Sequence, residues 1–321
     1  MRTLNCQDSG TGRQVSTLAL LTMKKGLSPA LFSAYWRDVH GILAARIPGF
    51  DSYTQFHLGR TLGKNLDLPP WVATAVPAGT RFHGIADVIL DSEADRAGLA
   101  SSAVAAHIQE DEQYVFRASL LYNLETGASR THVFRQAVES DALVGTSANG
   151  TVFLLLGRRL GCSPADLTDS LEAGLIPALA EEAGVRQLRT HALASGDPSL
   201  WRTTGVDNIQ TSATAFDMVL QVTAMPGGGA VEAINRALGR MTPNMLDTLG
   251  KAHGYEVRGR YQMVRGGRPT HLGLRGLNVM DTITAAGADK QRSAAVVEAI
   301  YGIAPALSPR PDDNIGTRHT S

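Results

Sequence analysis

Apolar residues recur at three- and four-residue intervals through Phe32, Trp36, Val39, Leu43 and Ile47, the spacing of one helical face. Ser28-Pro29 supplies the start: a hydroxyl that can accept from an orphan backbone N–H, ahead of a proline at the first helical position. Pro48-Gly49 supplies the stop. From Phe50 to Leu58 the period changes to two. Ser52, Thr54, Phe56 and Leu58 point one way and Asp51, Tyr53, Gln55 and His57 the other. A buried strand over 15–22 precedes this helix and strand. A strand over 82–90, a helix over 92–107, a charged turn over 109–113 and a strand over 114–122 follow. The order is β-α-β-β-α-β, a ferredoxin-like unit. Residues 59–81 form a long connection containing Pro69-Pro70-Trp71, of the kind that often serves as a lid. An extra strand is expected over 131–138 and a loop over 139–150.

The punctuation then returns. Ser163-Pro164-Ala165 stands 135 positions after Ser28-Pro29-Ala30, and at that shift Leu20 meets Leu155, Gly26 meets Gly161, Gly49 meets Gly184 and Leu58 meets Leu193. Helix start, helix stop and strand end are kept together, which marks an internal duplication. The expected organisation is a disordered leader over 1–14, a first unit over 15–138 and a second, degenerate unit over 151–265. A C-terminal extension with a helix over 289–301 fills 266–308, and a disordered tail ends the chain at 309–321. Phe216 is the counterpart of Phe82, Arg258 that of Arg117, and Pro243 breaks the helix expected over 230–249. One such unit leaves a sheet face uncovered. The fold class is therefore α+β, with two units packed sheet to sheet and a pocket expected between the sheets.

Composition narrows the partners. Formal net charge is zero over 321 residues, and no block of like charge suggests nucleic acid or an acidic membrane. Cys6 and Cys162 lie far apart, without metal-ligand spacing, which suggests a reducing compartment. The N-terminus lacks the apolar run of a signal peptide, and no segment has the roughly 18 apolar residues of a membrane span. A cytoplasmic location is the expectation.

Degeneration of the repeat points to a site in the first unit. At the 135 shift His40 meets Leu175, Trp36 meets Leu171, His57 meets Ala192 and Tyr53 meets Leu188. The second copy keeps the fold signals and loses the polar set, although His191 lies one residue out of register with His57. His40, His57 and Tyr53 are thus candidate acid–base groups, histidine being the side chain that exchanges protons near neutrality. Structural roles stay open: His40 bonded to a backbone carbonyl beside Trp36, and His57 at a strand rim. Asp87 interrupts the apolar strand Ile85-Ala86-Asp87-Val88-Ile89-Leu90. It could orient a histidine, act as a base, or face solvent. Trp36 and Trp71 could line an apolar pocket. Pro226-Gly227-Gly228-Gly229 lacks the lysine and hydroxyl of a phosphate loop and reads as a turn.

Tyr35-Trp36-Arg37-Asp38-Val39-His40-Gly41, followed by Ile47-Pro48-Gly49-Phe50 and Tyr53-Thr54-Gln55-Phe56-His57, resembles the EthD-like branch of the dimeric α+β barrel superfamily. Gly84-Ile85-Ala86-Asp87-Val88 resembles that family's next strand. The likeness covers roughly residues 15–125. It departs at Ile42, where the family usually has proline, so the helix is expected to run on unkinked. In that superfamily two chains usually supply the two sheets; here one chain would supply both. The resemblance implies an apolar, aromatic or polyketide-like substrate. With the histidines it leads to a cofactor-independent lyase, a dehydratase or cyclase. Some superfamily members hold haem on a histidine, so a haem protein is an alternative, as is a non-catalytic metabolite-binding protein. A further homodimer is possible on this reading.

Overall fold

The computed structural model describes residues 14–125, 127–135 and 150–275. The chain divides into two compact units, residues 1–276 and 277–321, and all described residues belong to the first. The expected leader, the 289–301 helix, the C-terminal tail and most of the 139–150 loop lie outside the described residues.

Strand β1 (Val15–Met23) leads to helix α1 (Pro29–Tyr35), capped by Ser28, whose hydroxyl accepts from the Leu31 N–H. The helix does not run on regularly. It widens into a π turn at Trp36–His40 before a last α turn, α2 (Gly41–Ala44). Such widened turns re-aim side chains and recur at functional sites. Strand β2 (Phe50–Thr61) follows, then β3 (Gly84–Leu90), the short α3 (Glu93–Ala97), α4 (Ala105–Val115) and β4 (Phe116–Leu124). The charged segment 109–113 is therefore helical. It lies inside α4, where Asp111 and Glu112 are buried.

After β5 (Ser129–Phe134) the plan repeats: β6 (Thr151–Arg158), α5 (Pro164–Ala173) behind a Ser163 capping box, α6 (Leu175–Glu181), β7 (Val185–Ala192) and the two-residue β8 (Ala194–Ser195). Then come β9 (Met218–Ala224), α7 (Ala230–Gly239) and the long β10 (Leu249–Arg265). β11 (Arg268–Pro269) and α8 (His271–Arg275) close the described chain. Gly227 has φ 78°, in keeping with a turn ahead of α7.

The strands form one antiparallel sheet in the order β5-β7-β9-β6-β10-β2-β3-β1-β4-β8. Each half keeps the ferredoxin-like order, and β10 of the second half joins β2 of the first along a ladder from Tyr255 opposite Thr61 to Arg265 opposite Ser52, with three register shifts. At the far ends β5, which follows β4, pairs with β7, while β8, which follows β7, pairs with β4. The sheet thus curls on itself as an α+β barrel made within one chain.

Alternation along each strand sends one set of side chains inside and the other toward the helices. Leu18, Leu20, Phe56, Leu58, Ile85, Leu120 and Tyr122 from the first half meet Phe153, Leu155, Val219, Tyr255 and Val257 from the second in one core. These side chains stand where a pocket between the sheets was expected. Bulky apolar side chains fill that space. Two reciprocal bonds record the duplication: the Phe82 N–H donates to the Tyr255 hydroxyl (3.4 Å) and the Phe216 N–H to the Tyr122 hydroxyl (3.1 Å).

Candidate active site

Trp36, His40, Tyr53 and His57 of the first half lie in the layer between its sheet and its own helices. Trp36 lies flat in the layer between sheet and helix and is fully buried. Gly84 makes room for it, since a Cβ there would stand 2.3 Å from the indole. Its ring stacks on His57, centroids 4.3 Å apart and planes 16° from parallel. The indole separates two spaces.

The first is a chamber of about 100 Å³, lined by Trp36, His40, Tyr53, Phe116, Glu112 and Trp201 among mostly apolar neighbours. The His40 Nδ1 is 2.9 Å from the Asp111 carboxylate. That bond makes Nδ1 the N–H and leaves Nε2, which makes no hydrogen bond among the described residues, with its lone pair. Burial pulls the imidazole's pKa down, but the bond to Asp111, its charge and the charge of Glu112 outweigh it and hold His40 above its ordinary value. Burial pushes Glu112 up, against the opposing pull of His40, Thr203 and Trp201. Its carboxylate accepts from the Trp201 indole N–H at 3.1 and 3.0 Å and from the Thr203 hydroxyl. Both donors come from the second half. Residues 196–207 cross over β4, held by Gly196 N–H to Leu121 O (3.0 Å), Asp207 N–H to Arg117 O (2.9 Å) and Ser119 N–H to Asp207 O (2.8 Å). They roof the chamber.

The second space is a cleft of about 530 Å³ between α1, β2 and β10, lined by Ser33, Arg37, His57, His83, Arg258 and Tyr261 among others. His57 is buried at its base, Nδ1 2.6 Å from the Ser33 hydroxyl and Nε2 3.1 Å from Gln55 Oε1. Burial and then the Arg37 charge hold His57 well below its ordinary value, so it is neutral.

Of the residues expected from sequence, Trp36, His40 and Tyr53 meet in the chamber. Tyr53 is buried there, its hydroxyl accepting from Gln55 Nε2 at 2.9 Å, and burial raises its pKa. His57 shares the strand face with Tyr53 but opens on the cleft. Asp87 is apart from all three. Strand parity turns it with Ile85 to the barrel interior, where Arg189 of β7 donates to it at 3.2 Å, so it orients neither His40 nor His57. Trp71 is 40% exposed and lines neither space. Asp111, Glu112, Trp201 and Ser33 were not anticipated. The corresponding layer of the second half is aliphatic: Leu171, Leu175 and Leu188 pack there with Leu167, Leu179 and Leu220.

Among the described residues no group of three His, Cys, Asp or Glu side chains is placed to hold a metal ion, and no helix is long and apolar enough to cross a membrane. Haem does not fit on either histidine as the side chains stand. The chamber below His40 is far smaller than a tetrapyrrole, and both ring nitrogens of His57 are engaged.

No curated protein matches the chain. Among solved structures it is similar to an anthrone oxidase-like protein, with 15% identity and TM-score 0.43 over 79% of this chain and 94% of that one. A monooxygenase candidate from Fusobacterium nucleatum aligns at 7% identity and TM-score 0.45 over 81% of this chain and 98% of that one. A chlorite dismutase from Candidatus Nitrospira defluvii aligns at 9% identity and TM-score 0.32 over 76% and 91%. Likenesses this loose carry no functional argument. The family model of the EthD domain matches residues 24–116, the stretch that holds α1, the π turn, β2, β3 and α4, so that stretch carries an EthD domain in a chain that folds as an α+β barrel.

Proposed function

We propose that the chamber of the first half catalyses proton transfer on a small apolar molecule without a cofactor, as a lyase of dehydratase or cyclase type. The observation that supports this reading is the His40–Asp111 pair set beside Glu112 in an apolar chamber, where the counterparts of Trp36, His40 and Tyr53 in the other half are Leu171, Leu175 and Leu188. Asp111 fixes the tautomer, and the lone pair on His40 Nε2 removes a proton from carbon. Glu112, whose pKa burial raises, returns a proton to the departing oxygen. Two titratable groups with pKa values displaced by their surroundings are what acid–base elimination requires.

Size restricts the substrate. At about 100 Å³ the chamber is smaller than the roughly 150 Å³ apolar cavity that takes benzene. A compact molecule fits beneath the roof, and an aromatic or larger polyketide-like ring enters only when residues 196–207 lift.

The test is elimination of water from a panel of small β-hydroxy ketones, followed by NMR in D₂O. His40→Gln and Asp111→Asn should each lower turnover by about a hundredfold with circular dichroism unchanged. Equal rates in wild type and both variants would rule the chamber out as the reactive site.

A further inference from the structure

The cleft on the other side of Trp36 holds a hydrogen-bonded line that the chamber chemistry does not use. Gln55 Nε2 donates to the Trp36 carbonyl and to the Tyr53 hydroxyl, each at 2.9 Å. A carbonyl can only accept, so the amide orientation is set and Oε1 faces His57. His57 Nε2, 3.1 Å away, must then carry the ring proton, and Nδ1 must carry the lone pair. The Ser33 hydroxyl, 2.6 Å from Nδ1, therefore donates to it and turns its own lone pairs toward the cleft. Gly41 protects the arrangement, because a Cβ there would stand 2.6 Å from Gln55 Nε2. A nucleophile, a base and an orienting acceptor in sequence, each within hydrogen-bond reach of the next, is the arrangement that activates a hydroxyl.

Charge completes the picture. Arg37 follows Ser33 by one helical turn, and its guanidinium lies 5.3 Å from the Tyr261 ring centroid. It pairs with Asp38 at 2.5 Å. Arg258 enters from β10 across the cleft and makes no hydrogen bond or ion pair among the described residues. A negative oxygen forming beside Ser33 meets positive charge from two sides.

We propose that this cleft is a second reactive site, in which Ser33 accepts the acyl group of a small carboxylic ester with His57 as its base and Gln55 as a positioning residue. The Ser33 oxygen adds to the ester carbonyl carbon while its proton passes to His57 Nδ1. The tetrahedral adduct collapses, the carbon–oxygen bond to the leaving group breaks, and that oxygen takes the proton back from His57. Water then adds to the acyl-serine by the same route and releases the acid. No oxidant or reductant is needed.

The full chain mixed with 4-nitrophenyl acetate should release a burst of one 4-nitrophenolate per chain, with acetyl found on Ser33 by peptide mass spectrometry. Ser33→Ala, a half-buried position at the cleft wall, should keep the fold by circular dichroism and lower the burst rate by about a hundredfold. Because His57 is already neutral, the wild-type burst rate should stay nearly level from pH 6 to 8. Gln55→Leu should slow the burst while leaving Ser33 the acetylated residue. Absence of a burst in the folded wild type, acetyl on a lysine in place of Ser33, or a rate climbing tenfold per pH unit across that range would each overturn the proposal.

Discussion

The indole of Trp36 lies 4.3 Å from the imidazole of His57, nearly parallel to it, and forms the partition between chamber and cleft. Neighbours on one strand face thereby serve separate spaces. Tyr53 and His57 are four residues apart on β2 and point the same way, yet the indole assigns them to different compartments.

Substitution at Gly84 tests the partition. A methyl group there overlaps the Trp36 ring and must displace it. Gly84→Ala is expected to destabilise by about 1–3 kcal/mol, the usual cost of overpacking a tight core. It should also change tryptophan fluorescence. Thermal melts and emission spectra check this, and a wild-type melting temperature would place the indole elsewhere.

Acid should unfold this protein early. Burial holds His57 well below its ordinary value, and holds His191 down to about 3 and His253 and His271 to about 4. A group whose folded pKa is depressed contributes stability above its unfolded pKa, near 6.5, that is lost as pH falls toward the folded value. Each fully buried imidazole adds a slope of about 1.4 kcal/mol per pH unit in that window. His40 has the opposite sign, since its raised value yields stability below pH 6.5 that is lost as pH rises, but it stands against these four and against His83 and His132, which burial also lowers. Urea midpoints should fall steadily from pH 6.5 to 4.5, and His191→Asn should flatten part of that fall. A midpoint constant across the range would contradict it.

The roof should tune Glu112. Trp201→Phe removes the indole N–H that the carboxylate accepts, which costs roughly 1–3 kcal/mol of stability. It also favours the protonated acid, raising the Glu112 pKa further. A general acid loses activity as pH rises through its pKa, so the alkaline limb of the chamber's pH–rate profile should move to higher pH. A limb that stays fixed would remove Glu112 from the acid role.

Asp87 separates structural from chemical function. Asp87→Asn should weaken the bond to Arg189 across the barrel and lower stability by about 1–2 kcal/mol, as expected for a buried ion pair that loses one charge but keeps a polar partner. Turnover in the chamber should be unchanged at saturating substrate. A drop of tenfold or more would bring Asp87 back into the chemistry.

Local signals sufficed wherever the physics is local. Ser28-Pro29, Pro48-Gly49 and the period change at Phe50 gave the helix and strand. The 135-residue shift correctly anticipated two ferredoxin-like units, with Leu171, Leu175 and Leu188 replacing Trp36, His40 and Tyr53. Signals set by distant contacts failed. Glu110-Asp111-Glu112 reads as a solvated turn because acidic runs are ordinarily exposed. The burial of Asp111 depends on His40, 71 positions earlier, and that of Glu112 on Trp201, 89 positions later. For Asp87 the sequence left the choice open, because alternation tells which residues share a face and not which face meets the helices. Filling of the barrel by Tyr122, Tyr255 and Phe153 follows from side-chain size once the faces are known, and this displaced the expected pocket to the sheet–helix layer.

The seam between β2 and β10, with the crossing of residues 196–207, makes floor and roof of the chamber parts of one covalent molecule. In a pair of identical chains, whatever closes one chamber closes its twin, and dilution can part them. Here neither holds: Trp201 answers to Glu112 alone, and the cover stays at a fixed local concentration however scarce the protein becomes. One copy was thereby released to become scaffold and shutter, while the other kept Trp36, His40 and Tyr53.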